Sequence, residues 1–141
     1  MKDCGYAIRK GYYDKLHAAS YSLGVYDTIA PDEANPPFLI ISSQTSAEDS
    51  DKTSFNFNVS IQFDIIYRTF KDGEVGQKAV DDYTNELLGI IGVGMGSYPD
   101  VSPYFNIVTR KLVKNDGMFD YIDESYIYRR VLIMEHFVNQ L

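Results

Sequence analysis

The chain has 141 residues, a formal net charge of −7, 45% hydrophobic residues and one cysteine. That length fits one domain with a real core, and the acidic balance argues against a nucleic-acid binder, which needs basic groups against phosphate. Cys4 alone makes an intrachain disulfide impossible, and no stretch approaches the ~20 apolar residues of a membrane span.

The N-terminus, "MKDCGYAIRKGYYDKL", has no apolar run like that of a signal peptide, so synthesis and residence in the cytoplasm are expected. From residue 3 to 19 the chain reads as an amphipathic helix. Cys4, Ile8, Tyr12, Leu16 and Ala19 recur at three- and four-residue steps, with charged residues between them. Gly5 and Gly11 weaken it by up to about 1 kcal/mol each, so packing must hold it. "YSLGVYDTI" (21–29) reads as a short strand. "APDEANPPF" holds three prolines, which fix φ and remove donors, and reads as a surface loop. A second strand covers 38–48, and "DSDKT" is a polar turn.

"SFNFNVSIQFDIIYRTF" (54–70) then alternates with strict period two. Phe55, Phe57, Val59, Ile61, Phe63, Ile65 and Tyr67 fall on one side, with mostly polar residues on the other. At about 3.3 Å per residue this strand would reach roughly 56 Å, whereas a compact chain of this size is only about 37 Å across. The short connection predicts an antiparallel hairpin with the 38–48 strand. The excess length predicts that Phe55, Phe57 and Val59 leave the globule on an arm.

"KDG" (71–73) stops the strand. A helix follows from Glu74 to Ile91, with Asp72 as a candidate cap and Val75, Ala79, Val80, Tyr83, Leu87, Leu88, Ile90 and Ile91 as its apolar stripe. "GVGMGS" ends it. A strand is predicted over 104–113, a turn at "KNDG" with Gly117 suited to positive φ, and a brief pairing segment or loop at "MFDYI". The last strand covers 124–140. Tyr126, Tyr128, Leu132 and Met134 share one face with Arg130, while Ile127, Val131, Ile133 and Phe137 share the other. Apolar residues on both faces suit a central strand or one whose far side meets a partner. The predicted order is α-β-β-β-α-β-β. The predicted class is α+β: a mainly antiparallel sheet of four to five strands, with two helices on one face and a long projecting hairpin.

No constellation points to catalysis. His17 and His136 lie at opposite ends of the chain without zinc-ligand spacing, and His17 suits the C-terminal end of a helix. Cys4 has no partner base in sequence. The glycine run 89–96 follows a helix and has no lysine, unlike a phosphate loop. Glu48, Asp49 and Asp51 lack the oxygen spacing of a calcium loop and read as a solvated hairpin tip. No metal, cofactor or enzymatic activity is expected. The excess of strand surface points to a subunit of an assembly.

An N-terminal helix leads to "GVYDTIAPDEANPPFLIISSQ", whose VYD…P…PPF(I/L)(I/V)I passage is followed by a polar turn and "FNFNVSIQFDIIYRTF". The helix "GQKAVDDYTNELLGII" and the closing "YRRVLIMEHFVNQ" come next. In this order of motifs the chain resembles the tail terminator (tail completion, neck) proteins of tailed bacteriophages. The resemblance implies a single domain of that type over 1–141. It also implies a structural protein of the virion, made in the host cytoplasm, that forms a ring, commonly a hexamer. Such a ring caps the tail tube, joins it to the head connector and lets DNA pass. Its partners would be copies of itself, tail-tube and connector proteins, and DNA in transit without specific binding. An acidic lumen would repel phosphate. Phe38, Ile40, Phe55, Phe57, Val59, Tyr126 and Tyr128 would then serve subunit contacts on hairpin and edge, and Glu48, Asp49 and Asp51 would face a partner or the lumen. Two other classes stay open on the residues alone. One is a small-molecule or peptide-binding α+β domain, with the aromatic faces lining a pocket. The other is an enzyme in which His17, Cys4 or Asp64 converge in space.

Overall fold

A computed structural model describes residues 2–70, 76–92 and 98–141. Its elements run α1 (Gly5–Ala18), β1 (Gly24–Asp27), β2 (Phe38–Glu48), β3 (Asn56–Thr69), α2 (Gly76–Ile91), β4 (Phe105–Ile122) and β5 (Ser125–Gln140). This is the predicted order. The five strands form one sheet in the order β1-β2-β3-β5-β4. Only β1 and β2 run parallel; the other pairs are antiparallel, including the predicted β2–β3 hairpin.

β3 is the central strand, and its alternation explains why. Phe57, Val59, Ile61, Phe63 and Ile65 are all buried on the side facing the helices. Both helices lie on that side. Tyr12 of α1 stands edge-on to Phe63 at 5.1 Å between ring centroids, and Tyr83 of α2 lies 6.5 Å from Tyr67. Of the predicted stripe, Cys4 at the N-cap and Ile8, Tyr12 and Leu16 of α1 are fully buried, as their spacing predicts, while Ala19 caps the helix end and is exposed. The helix stops in a Schellman arrangement. Ser20 takes a φ of 54°, its N–H donates to His17 O, and the Tyr21 N–H donates back to Leu16 O, both at 3.1 Å. The α1 glycines have a packing reason. A Cβ on Gly11 would stand 2.9 Å from the Asp100 carbonyl oxygen and from Pro99 Cβ. The helix lies too close to the 98–104 segment for any side chain there.

Three expectations change. The strand expected over 21–29 shrinks to Gly24–Asp27, because Tyr21 and Leu23 turn into the core and Thr28, at φ 70°, ends the ladder. No turn occurs at 114–117: β4 runs unbroken to Ile122, and the chain reverses at Asp123 and Glu124, with φ of 50° and 62°. Two residues of positive φ make a two-residue hairpin loop of the kind that matches strand twist. The arm is also elsewhere. Phe57 and Val59 are 6% and 0% exposed and paired on both sides, since β5 runs alongside the whole of β3. They are core residues of the protomer, not part of an arm. The long hairpin with an exposed strand is β4–β5. The Asp72 cap, Val75 and the glycine run beyond Gly92 fall outside the described residues.

Candidate assembly surfaces

β4 is an edge strand of 18 residues, and from Lys111 to Ile122 every one is exposed. Among the described residues its outer backbone groups form a row without strand partners, a template for another chain. Its two halves differ. The half nearer the core carries two bulges, at Val108 and Val113, where two residues oppose one on β5. It also carries Arg110, Lys111 and Lys114. Bulges and charges of this kind blunt an edge. Beyond Lys114 the register is regular. Met118, Phe119, Tyr121 and Ile122 are exposed there. On the helix-side face Phe119 lies 5.2 Å from Tyr128 and 5.9 Å from Tyr126, and Tyr121 lies 4.9 Å from Tyr126. This cross-strand aromatic cluster stiffens a hairpin that reaches past the helices. At its base Tyr128 is covered by α2, where a Cβ on Gly76 would run into its ring.

Among the described residues the opposite face of the sheet carries no helix. Phe38 and Ile40 of β2, Ile66 of β3, and Ile133 and Phe137 of β5 are half-buried on it. Asp64, nearly sealed, accepts from the Arg129 guanidinium at 2.6 Å and from Gln62 Nε2 at 3.0 Å. Those bonds are what permit a carboxylate under the sheet surface. Around them the β3 row Asn58, Ser60 and Gln62 is polar and uncharged.

A third surface lies at the other sheet edge, where α1 overhangs β1. Tyr6, Tyr13, Val25, Tyr26, Ile29 and Ile41 line an open cleft of about 390 Å³ together with Arg9, Lys10 and Asp27. Arg9 is held there by Asp27 at 3.3 Å and by Gln44, and Lys10 by Asp14 at 2.7 Å.

Of the residues singled out in the sequence, Phe38, Ile40 and Tyr126 are half-buried on sheet faces, and Phe55 is 46% exposed at the start of β3. Tyr128 is buried, with Phe57 and Val59. Glu48, Asp49 and Asp51 are exposed at the β2–β3 turn. Asp51 organises that turn. Its carboxylate accepts from the backbone N–H and hydroxyl of Thr53 and of Ser54, at 2.8–3.0 Å, and these bonds hold it below the usual carboxylate range. What sequence reasoning missed is the β4 tip. Its signal was present in "GMFDYI", but "NDG" read more strongly as a turn.

The candidate catalytic groups do not converge. His17 is exposed at the end of α1, beside Tyr13. Cys4 is sealed in the core, where burial pushes its thiol up to about 11 and leaves it un-ionised. Asp64 lies on the far face of the sheet. Among the described residues no three His, Cys, Asp or Glu side chains gather as metal ligands. His136 is buried against Tyr12 and the Val59 carbonyl, a closed structural contact.

No protein-family model matches the chain, and no curated protein matches it. A chain in the solved virion of a native gene transfer agent particle superposes with a TM-score of 0.75 at 14% identity, covering 99% of each chain. A likeness of that extent runs over nearly the whole of both chains. At such low identity it is a likeness of fold.

Proposed function

We propose that the chain is a structural, non-enzymatic subunit of a phage-like virion. It forms a ring at the neck or tail end that joins the tail tube to the head connector and lets DNA pass. The observation that carries this reading is the fold shared end to end with a chain of a gene transfer agent virion. The surfaces support it. A long exposed edge strand, a half-apolar sheet face without helices and a cleft at the far edge are more binding surface than a lone protomer of this size needs. The net charge of −7 suits a channel wall that phosphate should not grip. Phe38, Ile40, Phe55 and Tyr126 belong to the subunit contacts in this reading. Glu48, Asp49 and Asp51 face the lumen or the neighbouring tier.

Negative-stain electron microscopy of the purified protein, alone and with tail-tube and connector proteins, tests it. Rings, commonly of six subunits, are expected, with no retention on DNA at physiological salt. A protein that stays monomeric under all these conditions and binds neither structural partner would end this reading. It would favour a peptide- or small-molecule-binding domain using the aromatic α1–β1 cleft.

A further inference from the structure

We infer that the tip of the β4–β5 hairpin of one copy docks in the α1–β1 cleft of the next, adding its outer edge to the free side of β1. The inference rests on the ring-subunit reading above and names the contact that would build the ring.

Four observations meet in it. The tip presents the regular stretch of the exposed edge, 115–122, with Met118, Phe119, Tyr121 and Ile122 uncovered. It is acidic on balance, carrying Asp116, Asp120, Asp123 and Glu124 against Lys114, 3.5 Å from Asp116, and Arg129 and Arg130 on β5 opposite Met118 and Gly117. The cleft offers Tyr6, Tyr13, Val25 and Ile29 for apolar contact, with Arg9 and Lys10 at its wall paired to Asp27 and Asp14. Its floor is β1, which pairs on one side only. An extended edge entering there would find backbone partners and alternating side-chain contacts together.

The occupant is a second copy because the two halves of the contact sit on one chain and at opposite ends of one sheet. β4 closes one end and β1 the other. A contact between unlike patches is heterologous, and repeated around an axis it closes a ring. Pairing of two tips with each other would bring four acidic residues against four, which like-charge repulsion opposes.

Site-directed cross-linking tests this. In variants carrying Tyr121→Cys or Ile29→Cys, the native Cys4 is fully buried and does not compete. An equimolar mixture of the two single variants should give, on mild oxidation, a cross-linked dimer of unlike chains. The double variant should give a ladder of covalent multimers. In parallel, Phe119→Ser with Tyr121→Ser should weaken self-association at least about ten-fold, with the fold retained and only the small fall in melting temperature that losing the ring contacts to Tyr126 and Tyr128 brings. Rings that form without any unlike-chain cross-link, or at undiminished affinity in the serine variant, overturn the tip-in-cleft contact and leave the ring reading standing. A protein that never self-associates, alone or with tail and connector proteins, removes both.

Discussion

Tyr12 and His136 lie 124 residues apart and meet in the core, tying the first helix to the last strand. The His136 Nδ1–H donates to the Val59 carbonyl at 3.0 Å. A carbonyl only accepts, so Nδ1 carries the proton, Nε2 is bare and the Tyr12 hydroxyl donates to it. A second proton on the ring would face a donor and a dry surrounding.

Burial accordingly pushes His136 down to about 4, with the Arg110 charge adding to the effect and the Val59 carbonyl opposing it. The folded form binds this proton less readily than the unfolded form, whose imidazole titrates near 6.5. The contribution to stability is therefore complete above about pH 6.5. It falls as the pH drops from there through about 4. The gap, at about 1.4 kcal/mol per pH unit, amounts to about 3 kcal/mol. Urea denaturation at pH 7, 6, 5 and 4.5 should show this loss. The difference between the protein and a His136→Gln variant isolates it from the carboxylates, because the variant lacks that part of the acid slope.

The Asp64–Arg129 pair predicts an asymmetry. The Asp64 side chain is 6% exposed and that of Arg129 42%. Arg129→Met strands a sealed carboxylate with Gln62 as its remaining partner, and should cost about 3 kcal/mol. Asp64→Asn frees a guanidinium that already reaches water, and should cost about 1 kcal/mol. Chemical denaturation of both variants checks the order. Equal costs would mean that the carboxylate is wetter than the packing indicates.

Phe55 and Phe57 are near neighbours with different fates. Phe57→Ala should destabilise by about 3–4 kcal/mol, the cost of emptying a core site. Phe55→Ala, at an exposed site, should change stability by less than about 1 kcal/mol. Thermal melts separate the two, and a destabilising Phe55 variant would return the start of β3 to the core.

Helix propensity alone predicts that any helical glycine improves as alanine, by up to about 1 kcal/mol. Gly89, with open space around it, should follow that rule. Gly11→Ala should reverse it, losing about 1–2 kcal/mol, because its methyl meets the Asp100 carbonyl and Pro99. A melting temperature that rises for both would show that the 98–104 segment yields freely.

The sequence made β3 legible because a strand buried on one face, with no bulge, writes its period without error. The helices were legible for the same reason, through Ile8, Tyr12 and Leu16 in α1 and Val80 and Leu87 in α2. The parallel pairing of β1 was not, since four residues carry no mark of direction. β4 was misread for a definite reason. Ile107 and Leu112 both face the helix side, opposite Val138 and Met134, yet they are five residues apart. Odd spacing is impossible on one face of a regular strand. The inserted Val108 and Val113 shift the phase, and an alternation test stops at 113. The true reversal then stayed silent, because Asp123 and Glu124 are not the glycine or asparagine that usually announce positive φ. The candidate assembly surface sits on that misread element, so its residues were the ones hidden.

The two bulges of β4 also set rules for how this strand can change length. Each inserts one residue, and each inversion of facing cancels the other, so Phe119 and Tyr121 have the same parity as Ile107. Losing one bulge alone would invert one stretch of the strand relative to the rest, burying what is wet and exposing what is dry. Losing both would shorten β4 by two residues with every remaining side chain still on its own side. Insertions and deletions in the hairpin should therefore survive in pairs, and the reach of the tip can be adjusted by even steps without turning it over.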